Sequence, residues 1–192
     1  MSDPLIESKQ ALRAQVRARL AGLSPQYRAA AAAQVVVSLA SRPEWARASS
    51  VLLFAPLPVE LDLWPLVELA LAAGKTVALP AFVPGTSCYA ARQIIDVAKD
   101  IVPGKFGVRE PAEGCVEVPL NQLDLVLVPG IAFDARGGRL GRGKGFYDRL
   151  LASVRGTKCG VAFDDQLVDA VPVGPHDIRL NCILTPTRWI ET

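Results

Sequence analysis

LVLVPGIAFDARGGRLGRGKGFYDRLLASVRGTKCGVAF, residues 125–163, is the stretch on which the fold turns. Leu125 to Val128 is a short apolar run without polar alternation, the pattern of a strand covered on both faces. A helix is expected from about Lys144 to Val154, and Cys159 to Phe163 reads as a second buried strand. Two buried strands joined through a helix require a crossover, and therefore run parallel.

Working outward, the same order recurs upstream. Val51 to Ala55 reads as a strand, a helix follows from about Asp62 to Ala73 and is stopped by Gly74, and Thr76 to Leu79 reads as the next strand. Asp3-Pro4 and Ser24-Pro25 are cap-and-proline signals. They open one helix to about Ala21 and a second, alanine-rich one to about Ser41, ended by Pro43. Cys88 to Ile95 is expected as a further strand, and Val102 to Leu120, rich in Pro, Gly and Glu, mostly as loop. The expected class is α/β, a mostly parallel sheet with helices on both faces, in one domain over residues 1–192.

With 192 residues, 51% of them hydrophobic, the chain can bury a sizeable core. A net charge of +2 with scattered basic residues carries no footprint for nucleic acid or a membrane surface. Cysteines 88, 115, 159 and 182 form no C-x-x-C pair, so neither a zinc site nor a disulfide framework is indicated. The N-terminus has no signal-peptide pattern and no apolar run reaches the roughly 18 residues of a membrane span. A cytoplasmic protein is expected, more readily a monomer than an oligomer.

The loop between the strand at Leu125 and its helix lies at the carboxyl end of the sheet, where open α/β folds bind ligands. Glycines 137, 138, 141, 143 and 145 would let backbone N–H groups approach an anion, and Arg139, Arg142 and Lys144 add three cations. Such a loop suits a polyphosphate; its alternative is a surface turn rich in Gly and Arg. Gly138 to Lys144 fits G-x-x-x-x-G-K, but Gly145 stands where that phosphate-binding motif needs Ser or Thr for magnesium. Asp148, one turn beyond Lys144, is the candidate for Mg²⁺, against the plainer reading of a Lys–Asp helix pair. On the first helix Lys9, Arg13 and Arg17 stack in one row, a solvated face unless a ligand claims it. No Ser or Cys nucleophile with a base is readable, which leaves electrostatic catalysis of phosphoryl transfer.

The stretch from Gly130 to Leu151 resembles the signature of the 5-formyltetrahydrofolate cyclo-ligases. Further segments stand in that family's order: KQALR at Lys9 to Arg13, Val59-Glu60, FGVREP at Phe106 to Pro111, and GVAFDDQLVDAVPVGPHD at Gly160 to Asp177. The resemblance implies a three-layer α/β/α sandwich and ATP-dependent closure of 5-formyltetrahydrofolate to 5,10-methenyltetrahydrofolate, releasing ADP and phosphate. By the same resemblance Lys9, Arg13, Arg139, Leu140, Gly141, Arg142, Gly143, Lys144, Gly145, Phe146 and Tyr147 bind ATP, with Arg142 and Lys144 acting on its phosphates. Asp148 and Asp177 hold Mg²⁺. Glu60 takes the pterin, with Ala55, Phe82, Phe106 and Phe146 lining the folate pocket. A diverged relative acting on another small formyl or carboxyl substrate, or a folate- or nucleotide-binding regulator without turnover, would carry much of the same pattern. Lys144, Asp148 and Asp177 together disfavour the regulator.

Overall fold

A computed structural model describes residues 4–86, 88–104 and 107–192. The chain opens with α1 (Pro4–Ala21), α2 (Pro25–Ala40) and α3 (Pro43–Arg47), followed by β1 (Ser50–Leu52), α4 (Trp64–Ala72), β2 (Thr76–Val83) and β3 (Cys88–Ile94). Short pieces follow: α5 (Val97–Asp100), β4 (Ile101–Pro103), β5 (Arg109–Pro111) and β6 (Glu117–Val118). The second half holds β7 (Leu125–Val128), β8 (Ala132–Phe133), β9 (Arg139–Leu140), α6 (Phe146–Ala152), β10 (Thr157–Val161), β11 (Cys182–Leu184) and β12 (Trp189–Glu191).

An eight-stranded sheet runs β12-β11-β10-β7-β1-β2-β3-β6. The middle of the sheet, from β11 to β2, is parallel, and antiparallel pairs close both edges. The unbroken apolar strands explain this arrangement. Leu125 and Leu127 of β7 face one buried cluster while Val126 and Val128 face the other, and in β1 Val51 and Leu52 divide likewise. The first cluster takes Val16 and Leu20 of α1, Val35 and Leu39 of α2, and Leu66 of α4; the second takes Leu150 and Leu151 of α6. The step from β1 to β2 and the step from β7 to β10 run in opposite directions across the sheet. Right-handed crossovers therefore send α4 and α6 to opposite faces, producing the three layers.

Several boundaries differ from expectation. Pro43 ends α2 and also opens α3, because proline is tolerated in a first helical turn where its missing N–H has no partner to lose. β1 stops at Leu52 while Leu53, Phe54 and Ala55 stay buried, so the apolar run continues as the floor of a cleft. β2 instead continues to Val83 because β3 pairs with it along its length. The region Val102 to Leu120 supplies three short strands, and α6 begins at Phe146, leaving Lys144 in the preceding loop.

Because β1 lies between β2 and β7, the connections leave its two sides in opposite directions. A crevice is left at the carboxyl ends of β1 and β7.

Candidate active site

The crevice is a cleft of about 630 Å³, within the usual size of a small-molecule site. Its walls come from α1, the loop after β1, the loop after β7, the start of α6 and the turn at Asp177. Of the residues expected to contact ligands, Lys9, Arg13, Ala55, Glu60, the whole run Arg139 to Asp148, and Asp177 line it. Phe106 lies outside the described residues. Arg17, third in the helical row, is exposed and does not line the cleft.

The loop after β1 is folded around its own glutamate. Glu60 N donates to Leu57 O at 2.8 Å, and Leu57 N donates back to Glu60 Oε2 at 2.9 Å. This ring of two hydrogen bonds fixes the carboxylate at the cleft, 13% exposed, where Oε1 accepts from Arg142 Nη2 at 2.7 Å.

The loop after β7 is organised by a residue that motif reading passed over. Asp134 is 2% exposed. Its Oδ1 accepts from Arg136 N at 2.9 Å and Gly138 N at 3.0 Å, while Oδ2 accepts from Val171 N at 2.7 Å. Burial alone would raise this carboxyl; the Val171, Gly138 and Arg136 N–H groups outweigh it and hold it below the ordinary aspartate value. Gly137 and Gly138 serve this turn, not an anion. A Cβ at 137 would stand 2.5 Å from Leu180 O, and one at 138 would stand 2.5 Å from Asp134 Oδ2. Of the five glycines only 141, 143 and 145 line the cleft. Their run is pinned from outside by Arg13 Nε, which donates to Gly141 O at 2.9 Å.

Three ion pairs cross the site. Besides Glu60–Arg142, Arg139 Nη2 meets Asp148 Oδ1 at 2.8 Å, and Lys9 Nζ meets Asp177 Oδ2 at 2.5 Å. The plainer alternative for Asp148, a helix pair with Lys144, does not form, because Lys144 precedes α6 and Asp148 turns to Arg139. Arg139 is almost wholly buried and its Nε has no hydrogen-bond partner, leaving a charged donor unspent at the cleft wall. Asp177 Oδ2 also accepts from Gly174 N at 2.6 Å. Burial pushes this carboxyl up, but the Gly174 N–H and the Lys9 ammonium outweigh it, so it lies below its ordinary value.

Against the cations stands an aromatic cluster, with Lys144 Nζ 5.9 Å from the centroid of the Phe146 ring. Phe146 meets Phe82 at 5.7 Å and Tyr89 at 5.4 Å between ring centroids, both edge-on, the favoured geometry for such pairs. Phe82 supports this cluster from behind Phe146 and Tyr89, and it is Tyr89 that lines the cleft; nothing in its sequence surroundings singled it out. Burial, with a smaller push from Glu60, lifts the Tyr147 phenol well above its ordinary value, so it remains a neutral donor.

The cleft thus brings together a cationic, glycine-rich loop, a cluster of aromatic rings and a fixed carboxylate. The family model described as the 5-formyltetrahydrofolate cyclo-ligase family matches residues 5–186. The chain belongs to this family. The 5-formyltetrahydrofolate cyclo-ligase of Escherichia coli K12 is 33% identical over 180 residues, covering 92% of this chain and 99% of that one. That of Haemophilus influenzae is 30% identical over 184 residues, covering 93% and 97%. The NMR structure of Aquifex aeolicus 5,10-methenyltetrahydrofolate synthetase superposes with a TM-score of 0.85 at 34% identity, over 95% of this chain and 92% of that one. The Mycoplasma pneumoniae 5,10-methenyltetrahydrofolate synthetase, at 21% identity and a TM-score of 0.74 over 93% and 98%, shares the fold.

Proposed function

We propose that this cyclo-ligase family member closes 5-formyltetrahydrofolate to 5,10-methenyltetrahydrofolate at the expense of ATP, releasing ADP and phosphate, in the cleft between β1 and β7. The observation that carries this reading is the meeting, in one cleft, of the glycine- and arginine-rich loop with Glu60 and the aromatic cluster, in a chain whose family match spans residues 5–186. Arg142 and Lys144, with Lys9, Arg13 and the backbone from Arg139 to Tyr147, receive the nucleotide phosphates. Glu60 accepts paired N–H bonds from the 2-amino-pyrimidinone edge of the pterin. Ala55 and Phe146 bound the ring, with Phe82 behind them.

The formyl oxygen attacks the γ-phosphorus and ADP leaves. N10 then attacks the activated formyl carbon, N10 loses its proton, and phosphate departs to leave the methenyl bridge. No protein atom bonds to substrate, so the chain contributes positioning and positive charge, which strengthen as charge spreads over the γ-phosphoryl oxygens. Asp148 and Asp177 fit Mg²⁺ as a pair of anchors. Both line the cleft, the backbone N–H next to Asp177 (Ile178 N) lies 3.5 Å from Asp148 Oδ1, and their ion pairs engage Asp148 Oδ1 and Asp177 Oδ2. Among the described residues no third His, Cys, Asp or Glu joins them, consistent with a cation held by one or two carboxylates plus substrate phosphates. When bound, the ion would neutralise charge on the β- and γ-phosphates. A cytoplasmic, monomeric enzyme belongs to this reading; separately, no helix among the described residues is long and apolar enough to cross a membrane.

The test is incubation with ATP, Mg²⁺ and 5-formyltetrahydrofolate, following the near-ultraviolet absorbance of the methenyl product. ATP-dependent product with stoichiometric phosphate supports the reading; tight ATP binding without product would move it to another formyl or carboxyl substrate.

A further inference from the structure

We infer that the Arg142–Glu60 ion pair is a mutual lock within the cleft, through which each substrate prepares the place of the other. The inference rests on the reading that Glu60 receives the pterin and Arg142 the phosphates. Each of these two groups occupies the other. Arg142 Nη2 lies 2.7 Å from Glu60 Oε1, and Leu57 N already holds Oε2. The carboxylate thus has one oxygen committed to its own loop and the other to the nucleotide side. A pterin that donates two hydrogen bonds to Glu60 competes with Arg142 for Oε1, and a polyphosphate that draws Arg142 away leaves that oxygen to the pterin.

The two partners are built differently, which decides which one moves. Glu60 is 13% exposed and closed into its turn; Arg142 is 47% exposed, between Gly141 and Gly143. Gly143 has φ +101°, a backbone conformation that other residues rarely adopt, and a Cβ there would meet only the Arg13 guanidinium, at 3.5 Å. Gly141 is the fixed end, its carbonyl held by Arg13. Arg142 can therefore swing about its glycine flanks while Glu60 stays.

Two linked consequences follow. Each substrate releases the group that the other needs, so each raises the affinity for the other by the same factor. The pair also weakens the engagement of Arg142 by ATP alone, which favours loading of both substrates. A half-exposed ion pair is worth about a two- to fivefold factor in an equilibrium constant, and that is the expected size of each effect.

The test uses opposite-signed effects, which a merely structural role for either residue would not yield. Affinities for a non-hydrolysable ATP analogue and, separately, for 5-formyltetrahydrofolate are measured by calorimetry on the full chain. Glu60→Gln should weaken folate binding but tighten the nucleotide analogue about two- to fivefold with no folate present. Arg142→Met should weaken the analogue and tighten folate by a similar factor. The Gln substitution should give no nucleotide gain in the Arg142→Met background, since a gain that persisted there would be a general charge effect and would overturn the lock. Loss or no change of nucleotide affinity in Glu60→Gln also overturns it, provided Arg142→Met still weakens the analogue. If Arg142→Met leaves the analogue untouched, it is the underlying assignment of Arg142 to phosphate that fails.

Discussion

Asp134→Asn replaces a carboxylate by a group of the same shape at the root of the nucleotide loop. Asn can keep its oxygen toward Arg136 N and Gly138 N, but its amide nitrogen then faces Val171 N, donor against donor, across the present 2.7 Å. Flipping the amide exchanges one clash for two. Val171 is 5% exposed, so water cannot repair the lost bond. One charge-assisted hydrogen bond lost and one buried N–H left unmet predict a destabilisation of about 2–4 kcal/mol at neutral pH. Urea denaturation of both proteins at equal pH measures it. The pH dependence supplies a second, independent sign. The Asp134 carboxyl is held below the ordinary value of 3.8 in the folded protein, so its stabilising contribution is complete above that value and is lost as pH falls through the lower folded value. The variant has no such titration to lose. The stability gap between the two should therefore be constant near neutrality and shrink as pH falls below about 4. A gap under about 0.5 kcal/mol, or one that widens in acid, refutes the role given to this carboxylate.

Lys144→Met keeps the apolar stem and removes the charge. Turnover should fall on the order of 10²- to 10³-fold, more than ATP affinity falls, because the ammonium acts most strongly as charge spreads over the transferred group; single-turnover and binding measurements separate the two. Asp148→Asn should strip the nearly buried Arg139 of its counter-charge, destabilising by about 3 kcal/mol, and its activity should recover in part with raised Mg²⁺ while that of Lys144→Met does not. Equal metal responses in the two variants would remove Asp148 from the metal site.

Much of the central sheet was readable because its signals are local. Leu125 to Val128 was placed to the residue, and Ser24-Pro25 marked α2 through a hydroxyl that does accept from Tyr27 N at 3.1 Å. What failed was set by partners distant in sequence. Cys182–Leu184 is a three-residue apolar run that says nothing alone; it is a strand because β10 lies in register beside it. β2 outruns its expected end because β3 pairs with it, and β1 falls short because the chain leaves the sheet to floor the cleft.

The site shows the same division. Position at the carboxyl end of a strand pointed to the glycine- and arginine-rich loop and the family resemblance to Glu60, and both line the cleft. Invisible was the pairing among these groups, because an ion pair such as Arg142–Glu60 joins residues 82 apart in the chain. Asp134 had a usable signal, since an aspartate followed within four residues by Gly137-Gly138 is a side-chain-closed turn. Its glycines were credited to phosphate because density of glycine alone does not tell turn from cradle. Tyr89 had none, being only one more aromatic on an edge hairpin.

The first helix has an unusual footing. Of its residues only Val16 and Leu20 are buried, with Leu12 partly so, while its Lys9–Asp177 and Arg13–Gly141 contacts tie it to the cleft. Its attachment is therefore less a matter of core packing than of how well the cleft's charges are matched. Detachment of residues 4–21 belongs at the low end of the protein's local unfolding energies, below the central strands, and a polyanion shared between Lys9, Arg13 and the glycine loop raises it. Occupancy of the cleft is thereby written into the amide exchange of a helix at the edge of the fold: slow when nucleotide is bound, fast when it has left, with β7 nearly indifferent to either.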